Sequence, residues 1–451
     1  MAMFTTDPTR QAEFARFARE VPSWYRDAKF GIFVHWGAYS VPAWAEPIGE
    51  LGTIDRPTWF RHNPYAEWYA NTVRIDGAPA REHQRQAHGG APYDDFLDQW
   101  GAEEFDADAM VGLFARTGAR YVVPTSKHHD GIALWDAPGT GTRNTVHRGP
   151  RRDLIAEFEQ ASRRAGLRFG VYYSGGLDWN FTDLPPITDD DFHNRRPLGE
   201  DYNTFAYAHV RDLIDRYRPD VLWNDIEWPD SGKREGPEGL VELFDHYYAT
   251  VPHGVVNDRW GLTHWDFRTS EYQQGTESEN SSMWENTRGI GYSFGYNRVE
   301  DERHYLDGPG VIRHLVDVVS RGGNLLLNVG PDSAGRLPAQ QKAALEAVAG
   351  WTGLNGGAVF DSTVLDPAVA GPGGEPWVRW TRTGGHANAF IDAAGTVSVA
   401  GDPGALDLSA ARTPDGTPVA ARGEDGRIVV DLPAAAAVPG PAVVVIPLAG
   451  R

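Results

Sequence analysis

Short apolar runs alternate with segments of helical period along most of the chain, the signature of strands and helices alternating around a parallel sheet. Six runs predict strands: residues 30–37 (FGIFVHWG), 121–131 (YVVPTSKHHDG), 168–176 (RFGVYYSGG), 220–225 (DVLWND), 254–261 (GVVNDRWG) and 324–331 (NLLLNVGP). The segments between them predict amphipathic helices. In RRDLIAEFEQASRRAG, Leu154, Ile155, Phe158, Ala161 and Ala165 share one face, and Gly166 is placed to cap the C-terminus. In TFAYAHVRDLIDRY the buried face is His209, Val210, Leu213, Ile214 and Tyr217. A further helix carries Val311, Leu315, Val318 and Val319 and stops at Gly322 and Gly323, and another is predicted over residues 338–354.

A (β/α)8-like barrel requires eight strands, so two more are expected within the loop-rich stretches 38–110 and 260–310. Loops of that length usually build a site or a lid. From residue 356 the pattern changes to Gly, Pro and Ala with short alternating or β-branched runs: WVRWTRT, NAFID, GTVSVAG, GRIVVDLP and PAVVVIPLAG. These predict an antiparallel β-sandwich. The chain is therefore expected to divide into a barrel domain, residues 1–355, and an accessory β-sandwich, residues 356–451.

Charge narrows the partners. The 62 Asp and Glu against 42 Lys and Arg give a net charge of -20, which repels nucleic acid and anionic membranes and favours a neutral small molecule. The absence of cysteine excludes thiolate nucleophiles, disulfides and Cys-based metal sites. The first residues lack the apolar core of a signal peptide, and no segment runs to 18 apolar residues, so a cytoplasmic protein is expected. Aromatics reach 12% of the chain, with 16 Trp, many beside polar residues. Sugar sites use that combination, because pyranose C–H faces stack on rings while hydroxyls need hydrogen-bond partners.

The strand ends carry the candidate chemistry. Nearly every predicted strand closes on a polar or aromatic group: His35, then His128 and His129, Tyr173, Asp225, Asn257 to Arg259, and Asn328. Barrel active sites are assembled at that face. Consecutive His128 and His129 would point to opposite sides if the strand continued through them. Asp225 ends an apolar strand rigidly, whereas Glu227 precedes Trp228 and Pro229, where the backbone is expected to turn. Glycoside hydrolysis needs two carboxyl groups. Asp225 is a candidate for the nucleophile, and the acid is sought among Glu271, Glu277, Glu279 and Glu285, between which composition does not choose.

Eight ordered blocks, WYRDAKFGIFVHWGAYSVPAW, YAEWYA, YVVPTSKHHDGIALWD, FGVYYSGGLDW, PDVLWNDIEWP, VNDRWGLTHWDFRTSEY, ENTRGIGYSFGYNR and GGNLLLNVGPDSAGRLP, resemble the α-L-fucosidases of glycoside hydrolase family 29. The resemblance implies a barrel with a C-terminal β-sandwich and an exo-acting retaining enzyme without metal or organic cofactor. It implies Asp225 as nucleophile and Glu271 as acid/base, with Glu285 the alternative. It also implies substrate contacts from His35, Glu67, Trp68, His128, His129, Tyr173, Trp223, Arg259 and Phe294, and a fucosylated oligosaccharide or glycoconjugate as partner. Glu227 departs from the family pattern, which has a smaller residue there; reaching the site, it would change the charge beside Asp225 and the preference for the leaving group.

Three other readings compete. One is a hydrolase of a related sugar such as an α-L-galactoside. Another is a metal-dependent barrel hydrolase using His35, His128, His129 and Asp225, disfavoured because no HxH lies on one strand. The third is a non-catalytic fucose-binding protein, disfavoured by the presence of both carboxylates.

Overall fold

A computed structural model describes residues 12–182, 184–272, 283–432 and 439–449. Eight parallel strands form one curled sheet: β1 (Phe30–Val34), β2 (Tyr121–Lys127), β3 (Arg168–Ser174), β4 (Val221–Asp225), β5 (Val255–Val256), β6 (Arg268–Glu271), β7 (Trp284–Gly289) and β8 (Asn324–Val329). Their order is β5-β4-β3-β2-β1-β8-β7-β6, so the hydrogen-bonded sheet has its two edges at β5 and β6. That seam is bridged by the intervening loop rather than by strand pairing: the Asp266 N–H donates to the Val256 carbonyl (2.9 Å), and the Asp266 carboxylate accepts from the Val256 N–H (2.9 Å). The six predicted strands are all present. Both additional strands lie in the 260–310 stretch, whereas the described elements of 38–110 are helical.

Side-chain parity decides what each strand offers to the interior. In NLLLNV, Leu325, Leu327 and Val329 join the core beneath the helices, while Leu326 faces the barrel interior with Phe33, Tyr121, Val123, Tyr172, Val221 and Trp223. In β3, Phe169, Val171 and Tyr173 face the helices and Tyr172 faces inward. The short helix Ser23–Ala28 closes the N-terminal end of the barrel, where the Tyr25 carbonyl accepts from Asn324 Nδ2 at 2.8 Å.

The outer helices follow the apolar periodicity. Helix Leu154–Arg164 buries Leu154, Ile155, Phe158 and Ala161; Asp153 caps it by accepting from the Ala156 N–H (2.9 Å), and Gly166 takes the left-handed φ of +74° that ends it. Helix Glu200–Tyr217 buries the expected face and starts four residues before TFAYAHVRDLIDRY. Burying an aromatic such as Phe158 stabilises by about 1.5–3 kcal/mol.

After helix Ala339–Asn355 the chain forms antiparallel sheets. One contains β9 (Thr363–Val364), β10 (Trp377–Thr383), β11 (His386–Asp392) and β15 (Ala442–Pro447) in the order β15-β11-β10-β9; the other contains β12 (Thr396–Val399), β13 (Ala420–Glu424) and β14 (Arg427–Asp431). Phe390 and Val443 of the first sheet join the main core, and Arg379 donates to Asp317 of helix Gly308–Ser320 at 2.5 Å.

Candidate active site

The C-terminal ends of the barrel strands surround a cavity of about 290 Å³. Asp225, the last residue of β4, lines its floor and is 7% exposed. Its Oδ1 accepts from Arg259 Nη1 (2.8 Å) and from the Ile226 N–H (3.0 Å), and its Oδ2 accepts from the Tyr172 hydroxyl (2.9 Å). Burial pushes this carboxyl up, but the Arg259 charge, the nearby His129 and the hydrogen bonds outweigh it and hold Asp225 below the usual carboxylate range.

Arg259 joins two carboxylates. Its Nη2 donates to Glu271 Oε2 (3.1 Å) while Nη1 holds Asp225, and its Nε donates to Thr269 Oγ1 (3.1 Å). The guanidinium also lies 4.7 Å from the centre of the Trp223 ring. Glu271 ends β6, and its Oε1 accepts from the Tyr65 hydroxyl at 2.9 Å. Asp258, whose carboxyl burial pushes up, accepts from both the N–H and the hydroxyl of Thr269 (3.0 and 2.8 Å), aligning β6 across the seam.

Three histidines form one wall. β2 ends at Lys127 after a register irregularity, so His128 and His129 lie beyond the strand and both line the cavity. Burial lowers all three: His35 to about 3, His129 to about 4, and His128 well below its ordinary value. They are neutral imidazoles at neutral pH. The tautomer of His35 follows from its neighbours: Asn328 Nδ2 donates to the Phe294 carbonyl (2.6 Å), so Asn328 Oδ1 accepts from His35 Nδ1 (2.7 Å) and His35 Nε2 keeps a free lone pair. His129 shares a 2.6 Å hydrogen bond with Ser174 through Nδ1, and its Nε2 is 3.7 Å from Asp225 Oδ2, too far for a hydrogen bond. Nδ1 of His128 is buried with no partner among the described residues.

Glu67 and Trp68 of the first long loop complete the lining with Phe294 and Trp223. Glu67 Oε2 accepts from the Gly295 N–H (2.8 Å) and the Ser293 hydroxyl (3.1 Å), yet burial dominates and raises Glu67 to about 7. Trp68 stands 5.5 Å from His129, Phe294 stands 4.9 Å from His35, and Trp223 stacks on Tyr172 at 5.6 Å.

Residues 6–357 match the family model described as α-L-fucosidase. The chain belongs to the α-L-fucosidase family of glycoside hydrolases. It is 32% identical to an α-L-fucosidase of Dictyostelium discoideum over 387 residues, 83% of this chain and 78% of that protein. A solved α-L-fucosidase superposes with a TM-score of 0.88 at 40% identity, covering 96% of this chain and 98% of that one. The Thermotoga maritima α-fucosidase in complex with fucose superposes at 0.84 and 40% identity, covering 95% and 97%.

Of the residues that the α-L-fucosidase resemblance implied, His35, Glu67, Trp68, His128, His129, Trp223, Asp225, Arg259, Glu271 and Phe294 all line the one cavity. Tyr173 does not. It points into the helix layer, where its hydroxyl meets His209 Nδ1 at 3.1 Å, and its neighbour Tyr172 takes the site. Parity would have shown this, since Phe169 and Val171 are the apolar, helix-facing partners of Tyr173. Tyr65, two residues before Glu67, was also missed.

The other acidic candidates divide clearly. Glu285 stands near the N-terminal end of β7, is 0% exposed, and lies outside the cavity lining. Glu277 and Glu279 lie outside the described residues. Glu227 does not reach the cavity either: its Oε2 accepts from Arg196 Nη2 (3.0 Å) and Lys233 Nζ (2.5 Å), so it does not alter the cavity as its position beside Asp225 had implied. It fixes the turn behind Asp225. Ile226 and Glu227 both adopt left-handed backbone, φ 60° and 69°, conformations costly for non-glycine residues. Asn224 Nδ2 holds the turn by donating to the carbonyls of Glu227 (2.8 Å) and Arg259 (2.7 Å). Gly176 permits the close approach, because a Cβ there would lie 1.7 Å from the Ile226 carbonyl.

Proposed function

We propose that the chain is an exo-acting retaining α-L-fucosidase that releases terminal fucose from fucosylated oligosaccharides or glycoconjugates. The observation that carries this reading is the single guanidinium of Arg259 bonded to both Asp225 and Glu271 inside one cavity of about 290 Å³. The neutral histidines and Glu67 are suited to the sugar's hydroxyls, and Trp68, Trp223 and Phe294 to its apolar face and C5 methyl group.

In the first step Asp225 Oδ attacks C1 as the glycosidic C1–O bond breaks, and Glu271 gives its proton to the leaving oxygen. This forms a glycosyl ester on Asp225. In the second, Glu271 takes a proton from water, whose oxygen attacks C1 and releases the Asp225 carboxylate. Two inversions at C1 give net retention.

Asp225→Ala should lower kcat on an aryl α-L-fucoside by about 10⁴-fold or more, with added azide restoring turnover as a fucosyl azide. Glu271→Ala should accumulate the glycosyl-enzyme with that activated substrate, while Glu285→Ala should not. Normal turnover in Asp225→Ala would end the reading, and glycosyl-enzyme in Glu285→Ala alone would move the acid/base role. A panel of aryl glycosides including the α-L-galactoside tests the sugar.

A further inference from the structure

The outer part of the cavity is built by two segments far apart in sequence, helix Arg56–Arg61 and helix Asp189–Asn194, which meet through the Phe60–Phe192 ring contact and the Arg56–Asp189 ion pair. Arg56 Nε (2.8 Å) and Nη2 (2.5 Å) both donate to Asp189 Oδ1. The guanidinium is itself fixed, 4.8 Å from the ring centres of both Trp59 and Phe60. Asp189 Oδ2 has no hydrogen bond among the described residues, and Trp59 Nε1 is buried without a partner among them. The side chains of Arg56 and Asp189 are 38% and 33% exposed, and a pair that open to water contributes only about 0–1 kcal/mol to stability. Its consequence is orientation: it aims a carboxylate with a free oxygen at the cavity rim.

The wall leading to that rim is continuous with the deep wall. Phe192 lies parallel to Trp68, 6.2 Å between centres and 9° between planes, and Trp68 borders His129 beside Asp225. Ile54 and His193 line the same outer region. With Trp68 and His129 at the deep end, Phe192 and Asp189 complete the outer lining of the same cavity.

We propose that Arg56 and Asp189 form a subsite for a pyranose leaving group, Asp189 Oδ2 accepting from a sugar hydroxyl, the Arg56 guanidinium offering donors, and Ile54 and Phe192 meeting its C–H face. This rests on the fucosidase reading and deepens it: the subsite selects a sugar over an aryl or alkyl group. An aryl leaving group has the apolar face but no hydroxyl for Asp189.

The test compares kcat/KM for 4-nitrophenyl α-L-fucoside with that for linkage-defined fucosyl disaccharides, in the wild type, Asp189→Ala and Asp189→Asn. In Asp189→Ala the ratio of disaccharide to aryl kcat/KM should fall about 10–100-fold, the loss of a hydrogen bond to a charged acceptor. Asp189→Asn, which keeps an acceptor oxygen, should lose less. Equal losses on both substrates would make the pair a structural clasp and overturn the proposal, as would an unchanged ratio. Failure of the wild type to cleave both the aryl fucoside and every fucosyl disaccharide would overturn the fucosidase reading and the subsite with it, whereas normal wild-type turnover with an unchanged ratio in Asp189→Ala overturns the subsite alone.

Discussion

Two buried carboxyl groups stand at opposite ends of the same barrel, and burial has opposite net outcomes for them. Asp225, at the C-terminal end of β4, meets the Arg259 guanidinium and is held below the ordinary carboxylate range. Glu285, near the N-terminal end of β7, meets only neutral donors in direct hydrogen bonds among the described residues: the hydroxyls of Tyr121 (2.5 Å) and Tyr25 (2.7 Å) and Nε1 of Trp223 (3.0 Å). Burial dominates there and raises Glu285 to about 7. Desolvation alone thus favours the neutral acid, and the Arg259 cation together with the hydrogen bonds is what lets the buried Asp225 carboxyl ionise. The two are linked, because Trp223 donates to Glu285 below while its ring lies against Arg259 above.

The comparison breaks most severely at Arg259. Arg259→Leu removes the cation from Asp225 and Glu271 together and should lower kcat/KM on an aryl α-L-fucoside by about 10²–10³-fold. Its sign in pH follows from the mechanism proposed above. Asp225 must be ionised to attack, and without Arg259 burial prevails and pushes its carboxyl up, so the acid limb of the kcat/KM profile should move to higher pH. An acid limb that stays in place would show that Arg259 is not what keeps Asp225 charged.

Glu227 sharpens the contrast from the other side, being a buried carboxylate with two cations and no access to the cavity. Glu227→Gln removes the negative charge that Arg196 and Lys233 share, and breaking a buried pair costs about 3–5 kcal/mol. The lower end applies, because Asp230 accepts from Arg196 (3.3 Å) and Lys233 (2.8 Å) as well. Denaturant unfolding should show the loss, and a variant as stable as the wild type would mean that Asn224 holds the left-handed turn at Ile226 and Glu227 without help from the Glu227 side chain.

These distinctions were unevenly visible in the sequence. β1, β2, β3, β4, β5 and β8 were legible as apolar runs, and their polar ends marked the site. β6 (RTSE) and β7 (WENTRG) were not, because they sit at or next to the sheet's open seam and carry functional or hydrogen-bonding groups where the other strands carry aliphatic ones. Hence Glu271 and Glu285 looked equivalent in one long segment, although one ends its strand and the other begins one. In the C-terminal region β10 coincides with WVRWTRT, whereas β13, exposed along most of its length, gave no apolar signal. Tyr173 stands at the predicted strand end, but parity puts it among the helices and turns Tyr172 to the cavity. The pairing of Arg56 with Asp189 had no local signal at all, being made by side chains 133 residues apart.

The smallest effect falls at Glu285. Glu285→Gln replaces a carboxyl with a neutral amide of the same shape, so its effect depends on whether the carboxyl it replaces is protonated. The folded-state pKa of about 7 lies above the unfolded value of about 4.3, so protonated Glu285 contributes stability that is complete below about pH 4.3 and is lost as pH rises through about 7. The amide cannot ionise and lacks that loss. Glu67 and Glu300, raised to about 7 and about 8, titrate in both proteins and cancel in the difference. The Tm of Glu285→Gln should therefore gain on the wild type between pH 5 and pH 8, by a few degrees at most, while Trp223 keeps an acceptor in the amide oxygen. A Tm difference that is flat across this range would mean that Glu285 is already ionised at pH 5, and the contrast with Asp225 would then lie in access to the cavity and not in charge.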